Sequence, residues 1–285
     1  MKSSLITPLL ILAAAALLAA APPEGGFERT LPVSGAIELD LNTDAGGIHV
    51  NAVAGNAVKV RAILKGSRWP LRNEAEIERK IRELERNPPI EQTGSRIRVG
   101  YVQDKELLRG VSMRLEIETP ADARLKATAD SGGIRITGIR GPLDVQTDSG
   151  GIHVTAAGSE VRAQADSGGI HIQDVQGAVH ARADSGGIEA LNIAGAIDVQ
   201  TDSGGINVSQ TVAAPITARA DSGGARVKLA QAGGYDVTLE SGSGRISIPE
   251  MTVRGTISRH RAEGKVRGGG PLVDVKVDSG NVAVE

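Results

Sequence analysis

Residues 143–188 read LDVQTDSGGIHVTAAGSEVRAQADSGGIHIQDVQGAVHARADSGGI. Within this stretch Asp-Ser-Gly-Gly recurs every 18 residues. Along the chain it starts at Asp130, Asp148, Asp166, Asp184, Asp202 and, after a spacing of 19, Asp221. Before each copy apolar and polar residues alternate, as in Leu143-Asp144-Val145-Gln146-Thr147; after it they alternate again, as in Ile152-His153-Val154-Thr155. A period of two places successive side chains on opposite faces of a strand. The glycines punctuate the two strands, because Gly accepts positive φ and Asp can bond to backbone two residues on. Each unit therefore reads as strand, tight turn, strand, second turn. On this reading Gly132, Gly150, Gly168, Gly186, Gly204 and Gly223 are structural turn residues, and the second glycines, Gly169 and Gly187 among them, resist bulky replacement.

One such unit cannot bury its apolar face, but stacked units can. Stacking makes ladders of equivalent residues. Val145, Ala163, Ala181, Val199 and Ala218 face inward before the turn; Ile134, Ile152, Ile170, Ile188 and Ile206 face inward after it. The expected fold is all-β: a parallel β-solenoid with ~18–19-residue coils. A hairpin sandwich is the other arrangement compatible with the alternation. Three partial copies extend the repeat: Asp44-Ala45-Gly46-Gly47 in the N-terminal half, Glu240-Ser241-Gly242-Ser243, and Asp278-Ser279-Gly280-Asn281.

Composition agrees with a thin tube. Of 285 residues 37 are Gly, while Trp, Tyr and Phe total four, so the interior must be built from Ala, Val, Ile and Leu. A deep aromatic-lined pocket is excluded. A net charge of −2 lacks the basic excess of a nucleic-acid binder. Cysteine is absent, which removes disulfides, thiol catalysis and thiolate metal sites.

Residues 1–21 carry Lys2, an apolar run from Leu5 and a small-residue end at Ala19-Ala20-Ala21. This is the order of regions in a secretory signal peptide, and it predicts export to the periplasm, cell surface or exterior, with no integral membrane span after cleavage; a retained membrane anchor is the other reading of the run. Residues 22–120 form an N-terminal β segment. Asn73-Glu74-Ala75-Glu76 reads as a capping box, and Ile77, Ile81 and Leu84 share one helical face, so one amphipathic helix is expected over 74–86, placed at an end or flank of the stack. Residues 121–285 form the β-solenoid repeat region.

The order of signal, β segment with one helix, and Gly-Gly-Ile-x-Val repeats resembles the bacterial putative-adhesin family with β-strand repeats, an exported domain of unknown function. Its Ser-Gly-Ser-Gly-Asp-Ile turns are approached here by Glu240–Arg245. The resemblance covers roughly residues 30–285. It implies a β-solenoid and an exported location, and it brings no catalytic residues.

The repeated positions hold the candidate chemistry. Six equivalent Asp-Ser pairs argue against a single Ser nucleophile, which needs its own base and orienting group. The Asp ladder sets like charges ~4.8 Å apart. Hydrogen bonds from each turn are one expected compensation; Ca²⁺ bridging Asp148, Asp166, Asp184 and Asp202 is the other. His153 and His171 occupy the outward ladder Arg135, His153, His171, Glu189, Asn207, where a pair of imidazoles invites Zn²⁺ binding, pH sensing or a purely structural role. A second outward ladder, Asp144, Arg162, His180, Asp198, reads as cross-strand charge pairing. No catalytic residue, cofactor site or metal site is assigned beyond those calcium candidates. The expectation is a non-enzymatic, adhesin-like or scaffold protein that presents a repetitive surface to a protein or cell-envelope component. A polysaccharide-acting β-helix hydrolase or lyase and an envelope-stress accessory protein are the alternatives.

Overall fold

The computed structural model describes residues 23–67, 74–248 and 253–285. The signal segment 1–21 and the cap residue Asn73 lie outside the described residues. The chain is an all-β parallel solenoid whose strands form a 12-stranded and a 13-stranded sheet. Each coil gives one strand to each. Leu143–Ser149 pairs in parallel with Val161–Ser167, Leu143 opposite Val161; Ile152–Thr155 pairs in parallel with Ile170–Val175, Ile152 opposite Ile170. The two strands of one unit are thus never partners, and the hairpin sandwich is excluded. Backbone bonds such as Gly158 N–H to Ile139 O and Gln176 N–H to Ala157 O add a short third side to the coil.

Register follows from the alternation, since a one-residue slip would turn every inward side chain out. The predicted ladders are buried as read, from Val145 and Val199 to Ile152, Ile170 and Ile188. Ala rungs opposite Ile rungs make a thin core.

The two ends depart from simple succession. The early copy at Asp44 is an ordinary rung in space: Leu39 pairs with Leu125 and Ile48 with Ile134. Beyond it Arg96–Val99 and Val111–Pro120 add one more parallel level. Antiparallel strands then close both sheets, Ile90–Thr93 on one and Ala57–Gly66 with Glu24–Pro32 on the other. The helix Glu74–Arg86 packs against this end with Ile77, Ile81 and Leu84 buried, and Gly26 N–H donates to Glu85 Oε1 at 2.9 Å. Lys80 is buried too. Its ammonium meets Glu76 at 3.0 Å and the Arg109 carbonyl at 3.4 Å, so the helix charges do not all lie on a solvated face.

At the other end the chain skips a level. Leu272–Ser279 pairs directly with Ile216–Ser222 on one side and with Tyr235–Ser241 on the other. Residues 272–284 thus fill a level between two coils that precede them in sequence. The copy expected at Glu240 also shifts by two residues. Ser241 lies opposite Val277, and Gly244, not Gly242, stacks on Gly280. The copy in space is Gly242-Ser243-Gly244-Arg245, with Gly242 at the Asp position.

Candidate functional site: a laddered groove along the Gly-Gly corner

The repeated tetrapeptide is not itself a turn. Asp148 and Ser149 continue the strand, and the bend falls at Gly150-Gly151. Backbone groups at the bend are satisfied by the adjacent coil: Gly150 N–H donates to Ser167 O at 2.9 Å, and Gly168 N–H to Ser185 O at 2.9 Å. The parallel ladder therefore runs unbroken around the corner.

The first glycine of each pair has φ between 131° (Gly223) and 156° (Gly150), with Gly132, Gly168, Gly186 and Gly204 between them. A Cβ on Gly168 would stand 2.0 Å from Gly150 O, and one on Gly186 2.3 Å from Gly168 O. No side chain fits there. The second glycine is freer: a Cβ on Gly169 would lie 3.5 Å from Gly187 O, and one on Gly187 3.2 Å from Gly205 O. Asn281 holds this place in the last copy. The constraint expected at Gly169 and Gly187 sits one residue earlier in each pair.

The residue two before the Ser is alanine at Ala129, Ala165, Ala183 and Ala220, valine at Val277, and a buried hydroxyl at Thr147, Thr201 and Ser241. Thr147 Oγ1 donates to Gly132 O at 3.1 Å, Thr201 Oγ1 to Gly186 O at 2.9 Å, and Ser241 Oγ to Gly280 O at 2.9 Å. These side chains tie the corner to the core from inside. Sequence reading missed the role, although Thr in an otherwise apolar ladder was its signal.

The Asp ladder is longer than expected. Asp44, Asp130, Asp148, Asp166, Asp184, Asp202, Asp221 and Asp278 follow one another along the corner. Among the described residues none of them accepts a hydrogen bond from its own turn, so the expected capping is replaced by exposure to water. Lys105 Nζ closes one end, 2.9 Å from both oxygens of Asp44. Partial burial, with the charges of Asp44 and Asp148, pushes the Asp130 carboxyl above the usual range, and Lys105 opposes the shift. The calcium candidates Asp148, Asp166, Asp184 and Asp202 stand in this line, one per coil. Among the described residues no group of three or more His, Cys, Asp or Glu is placed to hold a metal ion.

Beside the corner runs a shallow groove of about 900 Å³. The second glycines, from Gly151 to Gly224, form its floor, and the outward ladder after the turn forms its wall. Pairing extends that ladder through Arg61, Glu116, His49, Arg135, His153, His171, Glu189, Asn207 and Arg226. In its middle the groups interlock. His171 Nδ1 lies 2.7 Å from Glu189 Oε2, and Asn207 Nδ2 donates to Glu189 Oε1 at 3.0 Å. The ring centroids of His153 and His171 are 5.8 Å apart. Partial burial and then the Arg135 charge hold His153 below the usual imidazole pKa; the same two causes, joined by Arg114, act on His49. Past Arg226 the surface continues to a second hollow lined by Arg245 and Arg259.

On the opposite sheet the expected ladder pairs at His180 and Asp198, while Arg162 meets Glu160 at 2.6 Å. His180 lies 3.6 Å from Asp198 and 3.4 Å from Glu160, and Arg219 bonds Asp274 at 3.1 Å. At its N-terminal end Tyr101 donates to Asp40 at 2.5 Å under the Arg98 guanidinium; burial, followed by the Asp40 bond and charge, pushes the phenol up to about 12. Among the described residues no helix is long and apolar enough to cross a membrane.

Residues 159–285 match the family described as Toastrack DUF4097. No curated protein matches the chain. A crystal structure of a putative adhesin from Bacteroides fragilis is similar, at 12% identity and TM-score 0.52, over 93% of this chain and 100% of that one. A putative cell adhesion protein from Clostridium sporogenes aligns over 92% of this chain and 98% of its own at 13% identity, with TM-score 0.34. The repeat half of this chain thus resembles the Toastrack family, a domain of unknown function, and the whole shares its fold with an adhesin-like bacterial protein.

Proposed function

We propose that this chain is an exported, non-enzymatic, adhesin-like protein that engages a protein or cell-envelope component through the groove along its Gly-Gly corner. One observation carries the reading: the exposed chemistry is repeated in line, rung after rung, instead of converging. Catalysis requires a nucleophile or acid–base pair and a charge-stabilising group gathered around one point. A ladder with one polar group per ~4.8 Å rung instead offers many equivalent contacts to an extended partner. The glycine floor lets that partner approach the backbone, and with no Phe, Tyr or Trp among the described residues that line the groove, recognition is a matter of charge and hydrogen bonds. The adhesin description of the Bacteroides protein and the signal-like segment 1–21 support surface or exported placement.

The test is binding of the purified chain to fractionated cell envelope of the source organism. Gly205→Arg puts a long side chain on the groove floor where a Cβ meets only Gly224 O, 3.6 Å away. It is expected to abolish retention while leaving the melting temperature nearly unchanged. Equal retention by Gly205→Arg would remove the groove from the account. Turnover of envelope polysaccharide, lost in Asp166→Ala or Asp184→Ala, would replace the binding role with the hydrolase or lyase alternative.

A further inference from the structure

We infer that His153 and His171 form an open, exchangeable binding site for a divalent transition-metal ion such as Zn²⁺, with Glu189 as its positioning residue. The inference is independent of the adhesive role.

The parallel register sets the two imidazoles on adjacent rungs of one face, His153 opposite His171. A ring nitrogen binds Zn²⁺ at ~2.0–2.1 Å, which places the ion about 3.2 Å from each ring centroid. Two centroids 5.8 Å apart lie within the roughly 6.4 Å that two such distances span.

The neighbouring groups prepare the pair for ligation. A carboxylate can only accept, so in the neutral ring of His171 the proton facing Glu189 resides on Nδ1 and Nε2 carries the lone pair. Glu189 is fixed in turn by Asn207. A ligating His that donates its other N–H to a hydrogen-bonded carboxylate is the usual outer arrangement of metal-bound imidazoles. His153 has no such carboxylate beside it and stands on the adjacent rung, opposite His171 in the parallel register. Its ring lies over Gly151, where a Cβ would come within 3.4 Å of Cε1. The glycine floor thus leaves space beside the rings for water to complete the coordination shell.

Two protein ligands make a site that loads and empties readily, unlike the closed four-ligand sites that hold structural zinc. Arg135 flanks the site on the His153 side and opposes the added charge. Glu189 offsets it on the other. Cu²⁺ should bind more tightly than Zn²⁺ at such a nitrogen pair.

The test is calorimetric titration of the whole chain with ZnCl₂ and with CuCl₂ at pH 7.5. One ion per chain is expected. His153→Ala and His171→Ala should each weaken binding at least tenfold. Glu189→Gln should weaken it about 10- to 100-fold, and Glu189→Asp should recover part of the loss, which a merely structural role would not produce. His49→Ala and His180→Ala are expected to bind as the parent does. All these side chains are at the surface, so matching melting curves will show that each variant folds. Absence of heat with both ions up to millimolar concentration would overturn the site. So would equal losses in His49→Ala or His180→Ala. A stoichiometry of half an ion per chain would assign the ion to a bridge between two copies and overturn it as well.

Discussion

Each coil turns two main corners, and they are built on opposite terms. At the Gly-Gly corner the backbones of successive coils touch, and a Cβ on the first glycine would meet a carbonyl oxygen at 2.0–2.3 Å in the copies from Gly132 to Gly223. At the far corner the equivalent positions are Gly138, Ala156, Asp174 and Asn192, with φ of 78°, 57°, 58° and 58°. The far corner also needs a left-handed residue, yet it admits side chains and uses them: Asn192 Nδ2 donates to Asp174 Oδ1 at 2.9 Å. Repetition in the sequence therefore marks where backbones crowd, while variation marks where side chains can do the work. A motif present in six copies reports a steric requirement before it reports chemistry.

That contrast can be broken experimentally. The largest effect is expected for Gly168→Ala, which must push two coils apart. A loss of about 3–5 kcal/mol, the range of severe core disruptions, should appear in urea or thermal melting. Gly169→Ala should cost less than about 1 kcal/mol, as an ordinary surface change does; equal losses at both glycines would refute the assignment of crowding to the first. Next in size, Thr201→Val keeps the shape but removes the bond to Gly186 O and should cost about 0.5–1.5 kcal/mol, measured by the same melts. At the far corner the sign reverses. Ala156→Gly should stabilise by about 0.5–1 kcal/mol, since left-handed backbone strains any residue with a Cβ; a loss would mean that the far corner holds its side chains without strain.

The smallest expected effect concerns charge along the near corner. Asp130 has a raised pKa, so its neutral form is favoured in the fold. Its ionised form destabilises at pH values above the carboxylate range, and that penalty disappears as pH falls through it. Asp130→Asn should therefore raise the melting temperature slightly at pH 7. The gain should vanish near pH 3 and shrink in high salt, as scanning calorimetry across pH will show.

Much of this was legible in the chain. Alternation before and after each Gly-Gly fixes which residues face inward, and a constant 18-residue spacing fixes parallel register, so the ladders from Val145 to Ala218 and from Ile134 to Ile206 could be written down without coordinates. Three features escaped for physical reasons. Spacing counts residues along the chain, whereas stacking counts levels, so the place of Leu272–Ser279 beside Ile216–Ser222 left no trace in the period. The copy near Glu240 was aligned on its Ser-Gly letters, although the constraint is the glycine two residues before an inward Ile, which selects Gly244 and Ile246. Turn capping is one of the two compensations the sequence offers for the carboxylates, because Asp often caps isolated turns; here the neighbouring coil already satisfies the backbone. For the groove, the histidine ladder was visible, but the Glu189–Asn207 clasp required the pairing of neighbouring rungs at side-chain resolution.

The skipped level at one end has a kinetic meaning. A stack of repeats can grow by adding each coil as it emerges, because each touches only its neighbours. Residues 235–247 cannot do so: the surface they dock on, Leu272–Ser279 and Val282–Val284, is made later. Assembly from the central coils must pause after Lys228, wait for some forty further residues, and then seat the later segment before the earlier one. This long-range closure should be the slow step in building the molecule, and it turns an open-ended repeat into one with a defined last move.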